Sequence, residues 1–322
     1  VRAGGADPLE ERLRPEGRDV VLGDRPFVDD LDRPGLLVGG VVFAPVAVGV
    51  VTGVDVEAAR AVEGVVHVAV VCPVGTALAH AGQVVVAIAA ESPATLRAAL
   101  ALVKVEAEVG VAQGGVHAEA RRVEGDASAA LASAAHRVSA TVRLAPTDPV
   151  FLEPEAALAV PVTTGLHLYS PGHDAAGAAS ELSGSLGGPV RVFLVPSGGS
   201  YGGKESVAIE AVAGSLALAT GRPVRVAVGL EAGMRVHPRR PGGEVSVEAG
   251  ADSNGRIVAL RVTAVVDGGT TCGGADLIVA RALDAVPYAC ANLDISVRVD
   301  RSANPGTGPI RGAGTHVVAA GV

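Results

Sequence analysis

The chain has 322 residues, a formal net charge of −8, 49% apolar residues, 2% aromatics and no Trp. The acidic balance excludes a general nucleic-acid or anionic-membrane binder, so neither is expected as a partner. The scarcity of large side chains means that any core must be built mostly from Ala, Val and Leu, and a chain this long can still bury a large one.

The charged first 19 residues lack an apolar signal region. No apolar run reaches about 18 residues without polar or Gly breaks, so no spanning helix is expected. Residues 1–26 are predicted to be a polar lead-in. Residues 27–112 are predicted to form a small α+β unit. Its strands, over 36–43, 46–51, 65–71 and 83–90, are apolar and rich in β-branched residues. Asp55 is placed to cap a short helix to Arg60, with Gly64 as its stop. Ser92-Pro93 is a cap followed by Pro at the first helical position, which predicts a helix over 93–102. Residues 103–109 alternate like a half-exposed strand.

Residues 110–125 (GVAQGGVHAEARRVEG) break this pattern and predict a linker, taken to span 113–130. The rest, 131–322, is predicted to be a second α+β domain. Asp126 is positioned to cap an Ala-rich helix reaching His136. Strands follow over 137–144, 155–160, 166–169, 190–195 and 224–228, with helices over 174–187 and 204–220. Residues 245–249 and 257–266 flank ADSNGR, a hairpin connection. A helix over 275–285 and a strand over 293–299 complete the pattern. The basic cluster over 235–240 (RVHPRR) predicts a solvated or ion-paired loop, with His237 a loop residue. The three cysteines, Cys72, Cys272 and Cys290, show no CxxC spacing. That argues against a zinc site or iron–sulfur cluster in this chain and fits reduced thiols in a cytoplasmic protein.

The sharpest local feature is SGGSYGGKE, residues 197–205, between an apolar strand and an apolar helix. A Gly-rich turn there lets free backbone N–H groups approach an anion or oxo group closely. The spacing is neither G-x-G-x-x-G nor a Walker loop, because Lys204 is followed by Glu205 and no hydroxyl is placed for magnesium. An ordinary strand-to-helix turn is the alternative.

SGGSYGGKE resembles the GGGFGGKE loop of the xanthine dehydrogenase and aldehyde oxidase molybdenum hydroxylases. Further stretches resemble that family in the same order: FVDDLDRPGLLVGG (27–40), ESPATLRAALALVKVE (91–106), FLEPEAALAV (151–160), TGRPVRV (220–226), Asp267-Gly268-Gly269 and NPGTGPIRGAG (304–314). VPSGGSYGGKE with MRVHPRR is most similar to the selenium-dependent-type xanthine dehydrogenase branch. The resemblance implies an a/b hammerhead domain followed by the first molybdopterin-cofactor-binding domain, that is, the N-terminal half of the large subunit. It implies a molybdenum-pyranopterin cofactor, as molybdopterin or its cytosine dinucleotide, and hydroxylation of a purine or related N-heterocycle with water as oxygen source. Iron–sulfur clusters and FAD are then expected on other subunits, and the C-terminal half of the large subunit as a further partner.

The same resemblance suggests site residues. His173 falls where the family has a Gln that hydrogen-bonds the metal's oxo ligand. Gly199, Tyr201 and Gly202 fall on the loop over the metal, and Arg311 in the family's FRGFG stretch, with Ile310 and Ala313 in place of Phe. Glu205 and Arg281 fall on the carboxylate and guanidinium that grip a purine; chemically, an Arg supplies fixed charge and donors while a Glu accepts from ring N–H groups. No residue matches a direct metal ligand or the general base. By residue type alone, Glu205 also suits a helix dipole, Arg281 a helix surface, His173 a turn, and Glu153 with Glu155 a structural role. A truncated paralogue that binds no cofactor, and an aldehyde-type substrate, are the competing readings.

Overall fold

The computed structural model describes residues 17–322; most of the predicted lead-in lies outside them. In chain order the elements are α1 (Gly17–Leu22), a 3-10 turn (Val28–Asp30), β1 (Leu37–Phe43), β2 (Gly49–Asp55), α2 (Glu57–Arg60), β3 (Val65–Val70), β4 (Ala77–Leu78), β5 (Val84–Ala90), α3 (Pro93–Leu100) and β6 (Lys104–Val109). Then come β7 (Val116–Glu124), α4 (Ala127–Ser133), β8 (His136–Leu144), β9 (Glu155–Val162), β10 (Gly165–Ser170), α5 (Ala175–Leu186), β11 (Val190–Leu194), α6 (Ala208–Thr220) and β12 (Val224–Val228). The last are α7 (Leu230–Val236), β13 (Gly243–Ala251), β14 (Ile257–Asp267), α8 (Ala275–Leu283), β15 (Leu293–Asp300) and α9 (Thr315–Gly321).

The architecture is α+β, built on three sheets ordered β11-β10-β9-β12-β1-β5-β3, β7-β15-β14-β13-β8 and β4-β2-β6. The first sheet crosses between the two predicted units. β1 pairs in parallel with β12, Leu37 opposite Val224, and antiparallel with β5. Strand β9 is buried on both faces. Ala157 and Ala159 join Leu182, Leu216 and Ala217 under α5 and α6, while Ala156 and Leu158 meet Val28 on the other side, as the alternation of side chains along a strand requires. Small residues at these positions allow close helix-on-sheet packing.

The five-stranded sheet buries Val245, Val262, Ile295 and Val297 against α8 and α9. Its strands β14 and β15 are parallel, Leu260 opposite Leu293, with α8 as the crossover between them. Two of the caps predicted from sequence form: Ser92 and Asp126 accept from the backbone N–H of Thr95 and Ala129 at the starts of α3 and α4. Asp55 does not cap α2, whose N-cap is Val56 without a side-chain cap, although Asp55 accepts from the Glu57 N–H. Asp174 caps α5 by accepting from the Gly177 N–H, a cap not predicted from sequence. Among the described residues, no helix is long and apolar enough to cross a membrane.

Three further expectations need correction. The segment predicted as a linker contains β7, which pairs with β15 along its length, ahead of the Ala-rich helix expected after Asp126, which forms as α4. Its strand was hidden because β7 is an edge strand with most of its side chains in solvent, so it lacks an apolar face. The helix after the glycine-rich loop begins at Ala208, not near 204, so the loop is not itself the helix N-terminus. His237, expected in a solvated or ion-paired loop, follows α7 as its C-cap residue and is 1% exposed; it is not solvated but paired with Asp148.

Candidate functional site

The parallel register of β10 and β11, Ser170 opposite Leu194, makes the segments that follow them leave the sheet side by side. His173 follows β10 and the 197–205 loop follows β11, so the two meet: His173 Nε2 lies 2.5 Å from Ser200 Oγ. Carboxyl ends of parallel strands form the crevices where α/β folds bind ligands.

The loop is held from below. Gly198 N–H donates to Glu153 Oε2 at 2.7 Å, and the buried Lys204 ammonium donates to the same oxygen at 2.5 Å. Lys204 also sits 4.7 Å from the centre of the Phe151 ring. Gly203 N–H returns to the Ser200 carbonyl at 2.7 Å. Between these anchors the backbone turns left-handed, with φ of 113° at Gly199, 56° at Tyr201 and 93° at Gly202. Among the described residues, the N–H groups of Gly199, Ser200, Tyr201 and Gly202 have no acceptor. Free N–H groups along a turn of this kind make a concavity suited to an anion or oxo ligand.

Val150 (φ 43°) and Tyr201 are the two non-glycine residues with positive φ among the described residues. Left-handed backbone is costly for a β-branched residue. Asp148 Oδ1 holds the Val150 turn by accepting its N–H at 3.0 Å. Strain gathered around one loop points to a functional surface.

The IRGAG stretch closes the other side. Arg311 N–H donates to the Tyr201 carbonyl at 2.8 Å. A Cβ on Gly202 would stand 3.0 Å from the Pro309 carbonyl oxygen, so glycine is required both for its φ and for the approach. The Arg240 guanidinium donates to the Arg311 carbonyl, and the Arg311 side chain is exposed.

Glu205 stands on the rim of two cavities. One, of about 410 Å³, is also lined by Ser170, His173, Glu181, Lys204 and Glu210. The other, of about 740 Å³, is lined by His80, Thr271, Gly274, Thr307 and Pro309 as well. Partial burial raises the Glu205 pKa, and the nearby His173 acts in the opposite direction. Gly274, on the second cavity, is the N-cap of α8, and Arg281 lies two turns further along that helix. Arg281 is exposed and lines neither cavity. The structure therefore assembles His173, Gly199, Tyr201, Gly202, Glu205 and Arg311 around one loop. It does not bring the Arg281 side chain to Glu205.

A buried charged layer beneath the loop was not apparent in the sequence. His237 Nε2 lies 2.8 Å from Asp148 Oδ1, and its Nδ1 is 3.8 Å from Glu155 Oε2. Glu210, 8% exposed, accepts from Ser170 Oγ at 2.6 Å. Burial pushes the Glu210 carboxyl up to about 7, against the Ser170 hydrogen bond. Glu153 and Glu155 thus have structural partners, Lys204 and His237, as residue type suggested.

Residues 112–321 match the family model described as molybdopterin cofactor-binding domain. The chain is 26% identical to a probable xanthine dehydrogenase subunit of Bacillus subtilis (strain 168), over 88% of this chain and 43% of that protein. It is 22% identical to the nicotinate dehydrogenase large molybdopterin subunit of Eubacterium barkeri, over 95% of this chain and 81% of that one. Among solved structures, quinoline 2-oxidoreductase from Pseudomonas putida 86 superposes with a TM-score of 0.84 at 20% identity, over 94% of this chain and 45% of that one. Aldehyde oxidoreductase from Desulfovibrio gigas gives a TM-score of 0.84 at 22% identity, over 94% and 39%. The chain thus spans under half the length of several of the relatives it matches.

Proposed function

The chain belongs to the molybdopterin cofactor-binding domain family of xanthine dehydrogenase and aldehyde oxidoreductase large subunits, and on that premise we propose that it forms the front part of a molybdenum hydroxylase subunit acting on a purine or related N-heterocycle. The observation that carries this reading is the run of unpartnered N–H groups from Gly199 to Gly202, backed by the 309–311 segment. The residues present fit an oxo-bearing, anionic group: a left-handed cradle, the His173 ring at its edge and the Arg311 backbone hydrogen-bonded to Tyr201.

When bound, the molybdenum-pyranopterin supplies the oxidising metal centre for hydroxylation with water as oxygen source. The chain's own residues bind and orient. The loop N–H groups of Gly199 to Gly202 would hold an oxo-bearing part of the bound cofactor in a fixed dipolar setting. Glu205, with its pKa raised by partial burial, faces the substrate ring and exchanges a hydrogen bond with a ring nitrogen in either protonation state. Arg281 is assigned the opposing contact on its sequence match. α8 starts at Gly274 on a cavity wall that Glu205 shares. Such a contact would supply fixed positive charge favouring negative charge on the heterocycle; in this structure the Arg281 side chain is exposed and lines neither cavity. The rest of the large subunit, the iron–sulfur clusters and FAD are assigned to other polypeptide segments or subunits, and the assembly to the cytoplasm.

The test is metal analysis and turnover of the chain purified with the remainder of its large subunit and the electron-transfer subunits. Molybdenum is expected at about one per assembly, with purine turnover exceeding aldehyde turnover. Arg281→Ala should reduce purine turnover far more than aldehyde turnover. An assembly without molybdenum would instead identify a cofactor-free paralogue, and equal losses on both substrates would remove Arg281 from its assigned role.

A further inference from the structure

The carboxyl of Glu210 is unexplained by the proposed chemistry. It lies in the first turn of α6 among Ile209, Val212 and Ala213, which are buried and apolar. Burying a carboxyl there is costly unless its hydrogen bonds serve a purpose. Its partner is specific: Glu210 Oε1 accepts from the hydroxyl of Ser170, itself 3% exposed, at 2.6 Å. The same Ser170 Oγ accepts the Gly172 N–H at 3.1 Å, closing the turn that presents His173. His173 in turn meets Ser200 Oγ, which also accepts the Lys204 N–H at 3.4 Å. Lys204, Glu155 and Glu210 line one small cleft beneath these groups. A chain of hydrogen bonds thus runs under the glycine-rich loop, from Glu210 through Ser170 to the turn before His173, and from His173 through Ser200 to Lys204.

We propose that Glu210 is a positioning residue of the candidate site: through Ser170 it fixes the turn that holds His173 against the glycine-rich loop. Its bearing on cofactor binding rests on the function proposed above; the mechanical link is a property of the chain itself. The link assigned to Glu210 runs through Ser170, not through direct contact with substrate or cofactor. The charged and titratable groups facing it are Glu155 from β9 and Lys204 from the loop, with His173, Glu181 and Glu205 around the adjoining cavity.

The test is amide hydrogen exchange by mass spectrometry on the full chain, comparing peptides over 168–178 and 197–206 with the α6 peptide over 212–220. Glu210→Leu and Ser170→Ala should speed exchange in the first two peptides by about tenfold, the size expected for losing one hydrogen bond, with 212–220 still protected. Glu210→Gln, which still accepts from Ser170, should restore wild-type exchange. Should Glu210→Leu unfold the chain, Ser170→Ala decides, because it removes the same link without changing α6. Wild-type exchange over 168–178 in a folded Ser170→Ala or Glu210→Leu chain overturns the proposal, and so does a Glu210→Gln chain as loose as the leucine variant. Loosened peptides in an assembly that never holds molybdenum would uphold the positioning link and sink the proposed function instead.

Discussion

The ammonium of Lys204 lies 2.5 Å from Glu153 Oε2, with the two side chains 4% and 10% exposed. Because Gly198 N–H donates to the same oxygen, one buried carboxylate ties the start of the glycine-rich loop to its end. Removing one member of such a pair leaves an uncompensated buried charge. Lys204→Met is therefore expected to destabilise the chain by about 3–5 kcal/mol, measured by urea unfolding. The double variant Lys204→Met/Glu153→Gln should recover much of the loss, since it buries no lone charge. A Lys204→Met single variant within about 0.5 kcal/mol of wild type, the range of ordinary surface changes, would show that the pair does not brace the loop.

Gly202 and Gly221 both have positive φ, 93° and 65°. A Cβ at Gly221 meets nothing within 4 Å, whereas at Gly202 it stands 3.0 Å from the Pro309 carbonyl oxygen. Gly221→Ala should cost only the left-handed strain, about 1–2 kcal/mol. Gly202→Ala should cost more and also push the 309–311 segment away from the loop. Thermal unfolding measures the first difference, and molybdenum content of the assembled subunit the second. Equal melting temperatures and equal metal content in the two variants would show that the close approach at Gly202 is unimportant.

The pH dependence of stability follows from Glu210. Its carboxyl is raised from 4.5 to about 7, burial being the main cause. The folded chain therefore holds a proton that the unfolded chain has lost between these values. This contribution favours folding most at acidic pH and is lost as pH rises through 7. The full span is worth roughly 3 kcal/mol. Glu210→Gln, which cannot ionise, should thus match wild type near pH 5 and exceed it in stability near pH 8. A stability difference that stays constant between those pH values would mean that Glu210 does not titrate in the folded chain.

The elements that sequence made legible are those fixed by local chemistry. Ser92 and Asp126 each cap the predicted helix, and the apolar runs of β1, β5 and β9 are buried strands. The meeting of His173 with the glycine-rich loop also follows from order along the chain, since each directly follows one of two parallel neighbours. What stayed hidden depends on distant contacts. β7 has no buried apolar face, and its strand character comes from pairing with β15, more than 160 residues away. Asp148 and His237 stand 89 positions apart, and Ser170 and Glu210 stand 40 apart. No spacing rule links such pairs. The one available signal was a histidine beside Pro238 in a basic cluster, whose charge pattern fitted either solvent or ion pairing and did not point to Asp148.

His237 brings a second pH effect that can be separated from that of Glu210. Burial opposes its charge, but Glu155 and Asp148 outweigh burial and raise its pKa above 6.5. Its stabilisation is then fully present below 6.5 and is lost as pH rises through the folded value. The ring also packs 4.9 Å from Phe151, under the loop. His237→Ala leaves Asp148 without its imidazole partner and is expected to cost about 3 kcal/mol at pH 6. Subtracting the two unfolding free energies cancels Glu210, which both proteins share. The remaining difference should shrink steadily from pH 6 to pH 9. A difference that grows over this range would mean that the folded chain holds His237 neutral, and that Asp148 and Glu155 do not set its charge.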